Sequence, residues 1–454
     1  MIDIYITYIN TICLLSQGAG EMSITGIKLG RREFIKLAGT TALLASLNWD
    51  ELVRDAVAAA ANGTINILWF EAQDCAGNTT ALIQATEPDL VDVLAGNSHL
   101  VGPGNVKLIF HETVMPEWGE AALDIARGAA EGKYDPYVLV LEGSFPQDEK
   151  AGGPPGSDYY CFIGDEGGKP ISCVEWMRRL LKRAVAVVAI GNCAAYGGLV
   201  ANKVLEPVPG LPKSSWSPSP TGAVGFFDDP IRGYKGLVHL LPEAEPFRRF
   251  VDGECVPSKP GDPNCRPAVA VPGCPANGNG QLRVLANLVL WAKGLLPLPE
   301  LDAYWRPKWI FGRTVHEQCP RAGSYAAGDF RKYPGENTAA CLYAVGCKGP
   351  VSNCPWNKVG WVNGIGGPTR TGGVCIGCTM PGFTDAYEPF YKPLNAPTVP
   401  SGSAAAAALG ALLVGAGVAY GVSKSIENKK AKVSEHVEKA MEQMLSEMKE
   451  GGGE

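Results

Sequence analysis

Three short runs of β-branched and aliphatic residues each end a few residues before a cysteine, and this pattern restricts the fold more than any other feature of the chain. Ile65–Phe70 is followed by Cys75, Val185–Ile190 by Cys193, and Ala268–Val271 by Cys274. Two similar runs, Val106–Phe110 and Tyr137–Leu141, stand between them, and helical patterns such as Ile171–Arg183 fill the intervals. Runs of this length without polar alternation, spaced by helical stretches, read as strands of a parallel α/β sheet from about Ile65 to Pro275. In such sheets ligands bind at the carboxyl edge, which is where all three cysteines fall. Thiolates on separate loops can converge on one iron–sulfur cluster, and the flanking glycines let the backbone approach it. Small buried cysteines packing beneath loops are the bland alternative.

The remaining thiols crowd into a second region, about Trp309 to Asp385, where regular periodicity fades and ligand bonds replace a large apolar core. His316 and Cys319 form His-x-x-Cys, and Cys341 and Cys347 add two more donors, making one four-ligand site. Cys354 with the Cys-x-x-Cys pair Cys375 and Cys378 supplies three thiolates for another. Zinc competes for both groups on spacing alone. The chain has 454 residues, 14 Cys and a formal net charge of −6. That length allows two or three domains, and without a basic excess nucleic acid is set aside as a partner.

The two ends read as an address and an anchor. Arg31 and Arg32, followed by Phe34 and the apolar run Leu37 to Leu47, resemble a twin-arginine export signal, a route that carries folded proteins. The stretch before it is long, so Met22 is expected to be the working start, with Cys13 absent from the mature protein. Ala404 to Val422 is uncharged and nearly long enough to span a bilayer, and Lys424, Lys429, Lys430 and Lys432 follow it. The positive-inside rule puts those lysines in the cytoplasm and the large preceding region outside. An Ala-rich soluble helix is the alternative, and Ser434 to Lys449 reads as a solvated amphipathic tail.

Taken in order over about Ile65 to Tyr391, the motifs resemble the small subunit of exported, membrane-bound nickel–iron hydrogenases. The resemblance rests on Ile190 to Gly198, Pro272-Gly273-Cys274-Pro275, Thr314 to Arg321, Cys341 to Pro350 and Cys375-Ile376-Gly377-Cys378. It implies a leader over 1–61, a flavodoxin-like domain over 62–300 and a cluster-bound domain with little regular structure over 301–395. An anchor over 396–423 and a charged tail over 424–454 complete the division. It also implies a proximal cluster on Cys75, Cys193 and Cys274, a distal [4Fe–4S] cluster on His316, Cys319, Cys341 and Cys347, and a medial [3Fe–4S] cluster on Cys354, Cys375 and Cys378. Pro368 takes the spacing where the family often has proline instead of a fourth cysteine, and Glu142 matches a position beside the proximal cluster. Hydrogen cleavage would belong to a nickel–iron large subunit, and the electrons would pass to a membrane cytochrome b or a sulfur or polysulfide reductase.

One departure stands out: the family's first Cys-x-x-Cys is Cys75-Ala76-Gly77-Asn78 here. Asn78 through its amide oxygen, Cys161, Cys173, or a cluster of only three irons would each resolve the missing thiolate. Gly198 lacks the extra cysteine of some oxygen-tolerant relatives. Cys255 and Cys265 bracket a Pro/Gly-rich insertion and are read as a disulfide or as two free thiols. Two rival functions are a secreted scaffold stapled by zinc or disulfides, and a quinone-reducing cluster protein like that of respiratory complex I.

Overall fold

Each of the five apolar runs becomes a strand, because residues without polar alternation are stable only where both faces of a sheet are covered. In chain order the strands are β1 (Ile65–Glu71), β2 (Val106–His111), β3 (Tyr137–Glu142), β4 (Phe162–Glu166), β5 (Lys169–Ser172), β6 (Ala186–Ile190) and β7 (Ala268–Val271). The computed structural model describes residues 64–394 apart from 87–88, 91–105, 205–213, 258 and 294–295. It also gives the backbone of a short antiparallel pair, Met22–Ile24 with Ile27–Leu29. The Arg31-Arg32 signal, the 404–422 span and the 434–449 tail lie outside the described residues. Among the described residues no helix is long and apolar enough to cross a membrane.

The main sheet has five parallel strands in the order β2-β1-β3-β6-β7. Counting only these strands, the order is the flavodoxin-like 2-1-3-4-5. The principal helices are α1 (Gly77–Ile83), α2 (Glu120–Glu131), α3 (Cys173–Leu180), α4 (Gly191–Tyr196), α5 (Leu237–Leu240), α6 (Glu245–Val251) and α7 (Gly278–Ala292). Alternate strand residues feed two cores. Leu68, Phe70, Leu139, Leu141 and Val187 pack with Leu123 of α2 and Trp176, Met177 and Leu180 of α3. Trp69, Val138, Val140, Val188 and Val269 pack on the other side with Leu282, Leu285 and Leu288 of α7.

Ile310, Phe311 and Trp356 join that second core, so the cysteine-rich region is seated on the sheet itself. Burying side chains of this size contributes roughly 1.5–3 kcal/mol each, enough to fix a segment with few long elements. Trp356 follows Cys354 by two residues, so the packing that seats the segment also places a thiol. The helix expected over Ile171–Arg183 is shorter than its pattern suggested. Ile171 and Ser172 are drawn into the hairpin of β4 and β5, and the Ser172 hydroxyl caps α3 by accepting from the Glu175 N–H (3.0 Å).

Candidate functional site

β1, β6 and β7 deliver Cys75, Cys193 and Cys274 to one edge of the sheet: Cys75 just before α1, Cys193 inside α4, and Cys274 between β7 and α7. Backbone hydrogen bonds join the loops, Gln73 with Ser144 reciprocally (3.0 Å each way) and the Asn192 N–H to the Gly273 carbonyl (2.7 Å). Cys75 and Cys274 reach the surface and Cys193 is half-buried. Although Cys274 reaches the surface, partial burial of its thiol pushes it up to about 12, with the nearby thiols Cys193, Cys378 and Cys75 adding to it. A Cβ on Gly77 would stand 2.9 Å from the Cys75 Sγ, and one on Gly198 2.6 Å from the Cys193 Sγ. Glycine at both positions is what lets the backbone pass the sulfurs.

Glu142, at the end of β3, is fully buried and accepts from the Trp69 indole N–H (3.0 Å), the Asn78 N–H (2.9 Å), the Thr79 N–H (3.2 Å) and the Thr79 hydroxyl (2.7 Å). Four donors satisfy a carboxylate that has no access to water. Among the described residues the Glu71, Asp74 and Glu142 carboxylates form an acidic trio, their oxygens within 4.8 Å of one another. Burial, then Glu142 and Glu71, push Asp74 up to about 6.

Two of the candidates for the missing proximal thiolate are corrected: Cys161 and Cys173 are bonded to each other. They flank the hairpin of β4 and β5, whose pairing brings their Cα atoms to 5.4 Å, and a disulfide sulfur is no longer a thiolate ligand. Cys255 and Cys265 are also disulfide-bonded. The other nine described cysteines are free.

His316, Cys319, Cys341 and Cys347 line one cavity. The ring of Tyr325 meets His316 edge-on with centroids 4.4 Å apart, and the Cys319 thiol donates to the Thr369 hydroxyl (3.3 Å). Cys354, Cys375 and Cys378 form the third group. Burial pushes Cys354 well up, with Cys378 and Cys375 adding to it, and burial with Cys347 and Cys378 pushes Cys375 up to about 12. Pro368 sits in the neighbouring turn, its carbonyl accepting from the Gly373 N–H (2.8 Å).

The three groups stand in a row. The Cys378 thiol lies near the backbone N–H of Cys274, linking the first group to the third. The Lys348 N–H donates to the Cys375 carbonyl (2.7 Å), linking the third to the cavity that holds Cys347. Residues that sequence patterns did not single out hold the row together. The Asn192 amide donates to the carbonyls of Cys378 (2.9 Å) and Met380 (2.8 Å), and its place beside Cys193 was the one available signal. Arg306, 1 % exposed, pairs with Asp302 and donates to the Thr379 carbonyl (3.0 Å) and Asn353 Oδ1 (3.1 Å), bracketing Cys354 and Cys378. Lys348 is buried beside Cys347, and burial lowers its ammonium pKa.

These donors fit iron–sulfur clusters better than zinc. Ligands of one tetrahedral zinc ion lie about 4 Å apart, since each sulfur is roughly 2.3 Å from the metal. Among the described residues no three thiol or imidazole donors come within 4.8 Å of one another. A cluster of several irons spreads its ligands wider. The raised thiol pKa values mean that binding such a group must release protons.

Comparison with known proteins agrees. Residues 311–391 match the family described as the C-terminal part of the NiFe/NiFeSe hydrogenase small subunit, and residues 75–288 match the NADH ubiquinone oxidoreductase 20 kDa subunit family. The second match accounts for the complex I-like reading of the sheet, and the first covers the region that reading leaves unexplained. The chain is 27 % identical to the quinone-reactive Ni/Fe-hydrogenase small chain of Wolinella succinogenes, over 80 % of this chain and 84 % of that one. It is 28 % identical to the uptake hydrogenase small subunit of Azotobacter vinelandii, over 88 % and 94 %. Among solved structures it resembles the actinobacterial-type NiFe-hydrogenase of Ralstonia eutropha, with TM-score 0.59 and 33 % identity over 78 % of this chain and 91 % of that one. With the sheet, the row of thiol groups and these relatives in agreement, the chain belongs to the family of nickel–iron hydrogenase small subunits.

Proposed function

We propose that this protein takes electrons from hydrogen oxidised in a nickel–iron large subunit and relays them through three iron–sulfur clusters in a row to a membrane acceptor. The observation that carries this reading is the row itself, in which Cys274 adjoins Cys378 and Cys375 adjoins Cys347. Cys75, Cys193 and Cys274 hold the proximal cluster; Cys354, Cys375 and Cys378 hold a medial [3Fe–4S] cluster; His316, Cys319, Cys341 and Cys347 hold a distal [4Fe–4S] cluster. Such clusters supply one-electron carriers whose potentials follow their charge, hydrogen bonds and exposure. The chain's own part is to fix their spacing, exclude water and set that surrounding charge through groups such as Arg306 and Lys348. The exposed Cys75 and Cys274 mark the face that is covered by the large subunit.

The flavodoxin-like region over 62–300 carries the proximal site and the region over 301–395 the other two. The Arg31-Arg32 signal directs export and 404–422 anchors the protein, with the main region on the extracytoplasmic side. Two disulfides support an oxidising compartment. The Wolinella relative is named as quinone-reactive, which supports a cytochrome b or similar protein leading to quinone as the acceptor.

The test is hydrogen-dependent viologen reduction by the complex captured anaerobically through a tag on this chain. A brown, active complex containing nickel is expected. A colourless chain containing only zinc would sink the reading.

A further inference from the structure

Asn78 stands where the family places a fourth proximal cysteine, and its amide oxygen and backbone polar groups are engaged elsewhere. Its amide Oδ1 accepts from the Ala276 backbone N–H (2.8 Å), two residues beyond Cys274. Its backbone N–H donates to Glu142 (2.9 Å), and its carbonyl accepts from the Gln281 side chain (3.0 Å), which also donates to the Ala276 carbonyl (2.9 Å). The Nδ2 side of the amide lies against Gly191, two residues before Cys193. A Cβ there would stand 2.3 Å from Nδ2, and Gly191 has φ +82°. The side chain, 7 % exposed, is therefore wedged between the loop that carries Cys193 and the loop that carries Cys274.

We propose that Asn78 is not an iron ligand: it ties the Cys193 and Cys274 loops together, and the proximal cluster is bound by the three thiolates Cys75, Cys193 and Cys274. This rests on the proximal assignment made above. For Oδ1 to turn onto iron it would have to abandon the Ala276 N–H, leaving a buried donor without a partner. A neutral amide is also a poor competitor for iron beside thiolates. The substitution thus exchanges a ligand bond for a hydrogen bond to the Cys274 loop and close packing against Gly191 of the Cys193 loop. With one thiolate fewer than the family's four, the protein's thiolates bring one less negative charge to the site.

The heterodimer purified anaerobically with 57Fe tests this by Mössbauer and EPR spectroscopy in the wild type, Asn78→Ala, Asn78→Asp and Cys193→Ser. If Asn78 is a tie, Asn78→Ala keeps the iron count, EPR signature and midpoint potential of the proximal cluster and lowers only the unfolding temperature. Asn78→Asp, which keeps an oxygen facing the Ala276 N–H, recovers that temperature. Loss of an iron or a changed proximal signal in Asn78→Ala, with Asn78→Asp retaining the wild-type signal, would overturn the inference and make residue 78 a ligand. Cys193→Ser separates the two levels: it must alter the proximal signal, and an unaltered signal would remove the assignment of the thiols on which the inference stands.

Discussion

His111 is fully buried, its ring stacked on Trp69 at 5.0 Å, with Nε2 facing the Thr79 hydroxyl (3.3 Å) and Nδ1 accepting from the Thr113 N–H (3.3 Å). An Nδ1 that accepts carries no proton, so the imidazole is neutral, and burial lowers its pKa to about 4 although Glu142 pulls the other way. The folded pKa lies below the unfolded value of about 6.5, so the unfolded chain binds this proton more readily. The contribution is therefore complete above about pH 6.5 and is lost as pH falls towards 4, amounting to about 3 kcal/mol. Asp74, pushed up to about 6, runs in the opposite sense, so the comparison must isolate the imidazole. His111→Gln should show a flatter fall in unfolding temperature between pH 7 and 4.5 than the wild type. Equal slopes would show that the imidazole does not titrate differently on folding.

Between elements, one glycine controls how α4 presents Cys193. The Phe226 and Phe227 N–H groups donate to the Ala194 and Ala195 carbonyls of α4 (2.7 and 3.0 Å), bringing the backbones so close that a Cβ on Gly225 would stand 2.4 Å from the Tyr196 nitrogen. Backbone cannot rotate aside as a side chain can, so Gly225→Ala should cost about 3 kcal/mol or more and disturb the proximal EPR signal. Gly233→Ala is the control: Gly233 has φ +77° with nothing near its Cβ, so only backbone strain of about 1–2 kcal/mol should appear and the signal should stay. Similar unfolding temperatures for the two variants would refute the contact argument. The five sheet strands were legible because strand formation follows from local runs of β-branched and aliphatic residues. The β4–β5 hairpin was not, since it interrupts a helical pattern at Ile171, and neither was the Cys161–Cys173 bond, which depends on that hairpin's pairing.

For the whole molecule, the reading of the ends leads to a separable prediction. Removing 396–454 should move the heterodimer from the membrane fraction to the soluble extracytoplasmic fraction, with viologen reduction kept within about twofold and hydrogen-dependent quinone reduction lost. A truncated complex still sedimenting with membranes would reject the anchor. Which residues form the five strands of the main sheet, and which residue types could serve as iron donors, could be read along the chain, because both depend on residue type and short spacing. Three outcomes belong to the folded molecule: which thiols pair with each other, that the three free groups form a row, and that the amide of Asn78 faces Ala276 across 198 residues. Those outcomes depend on where separate strands and loops come together, and no short-range pattern encodes a distance between segments so far apart in the chain.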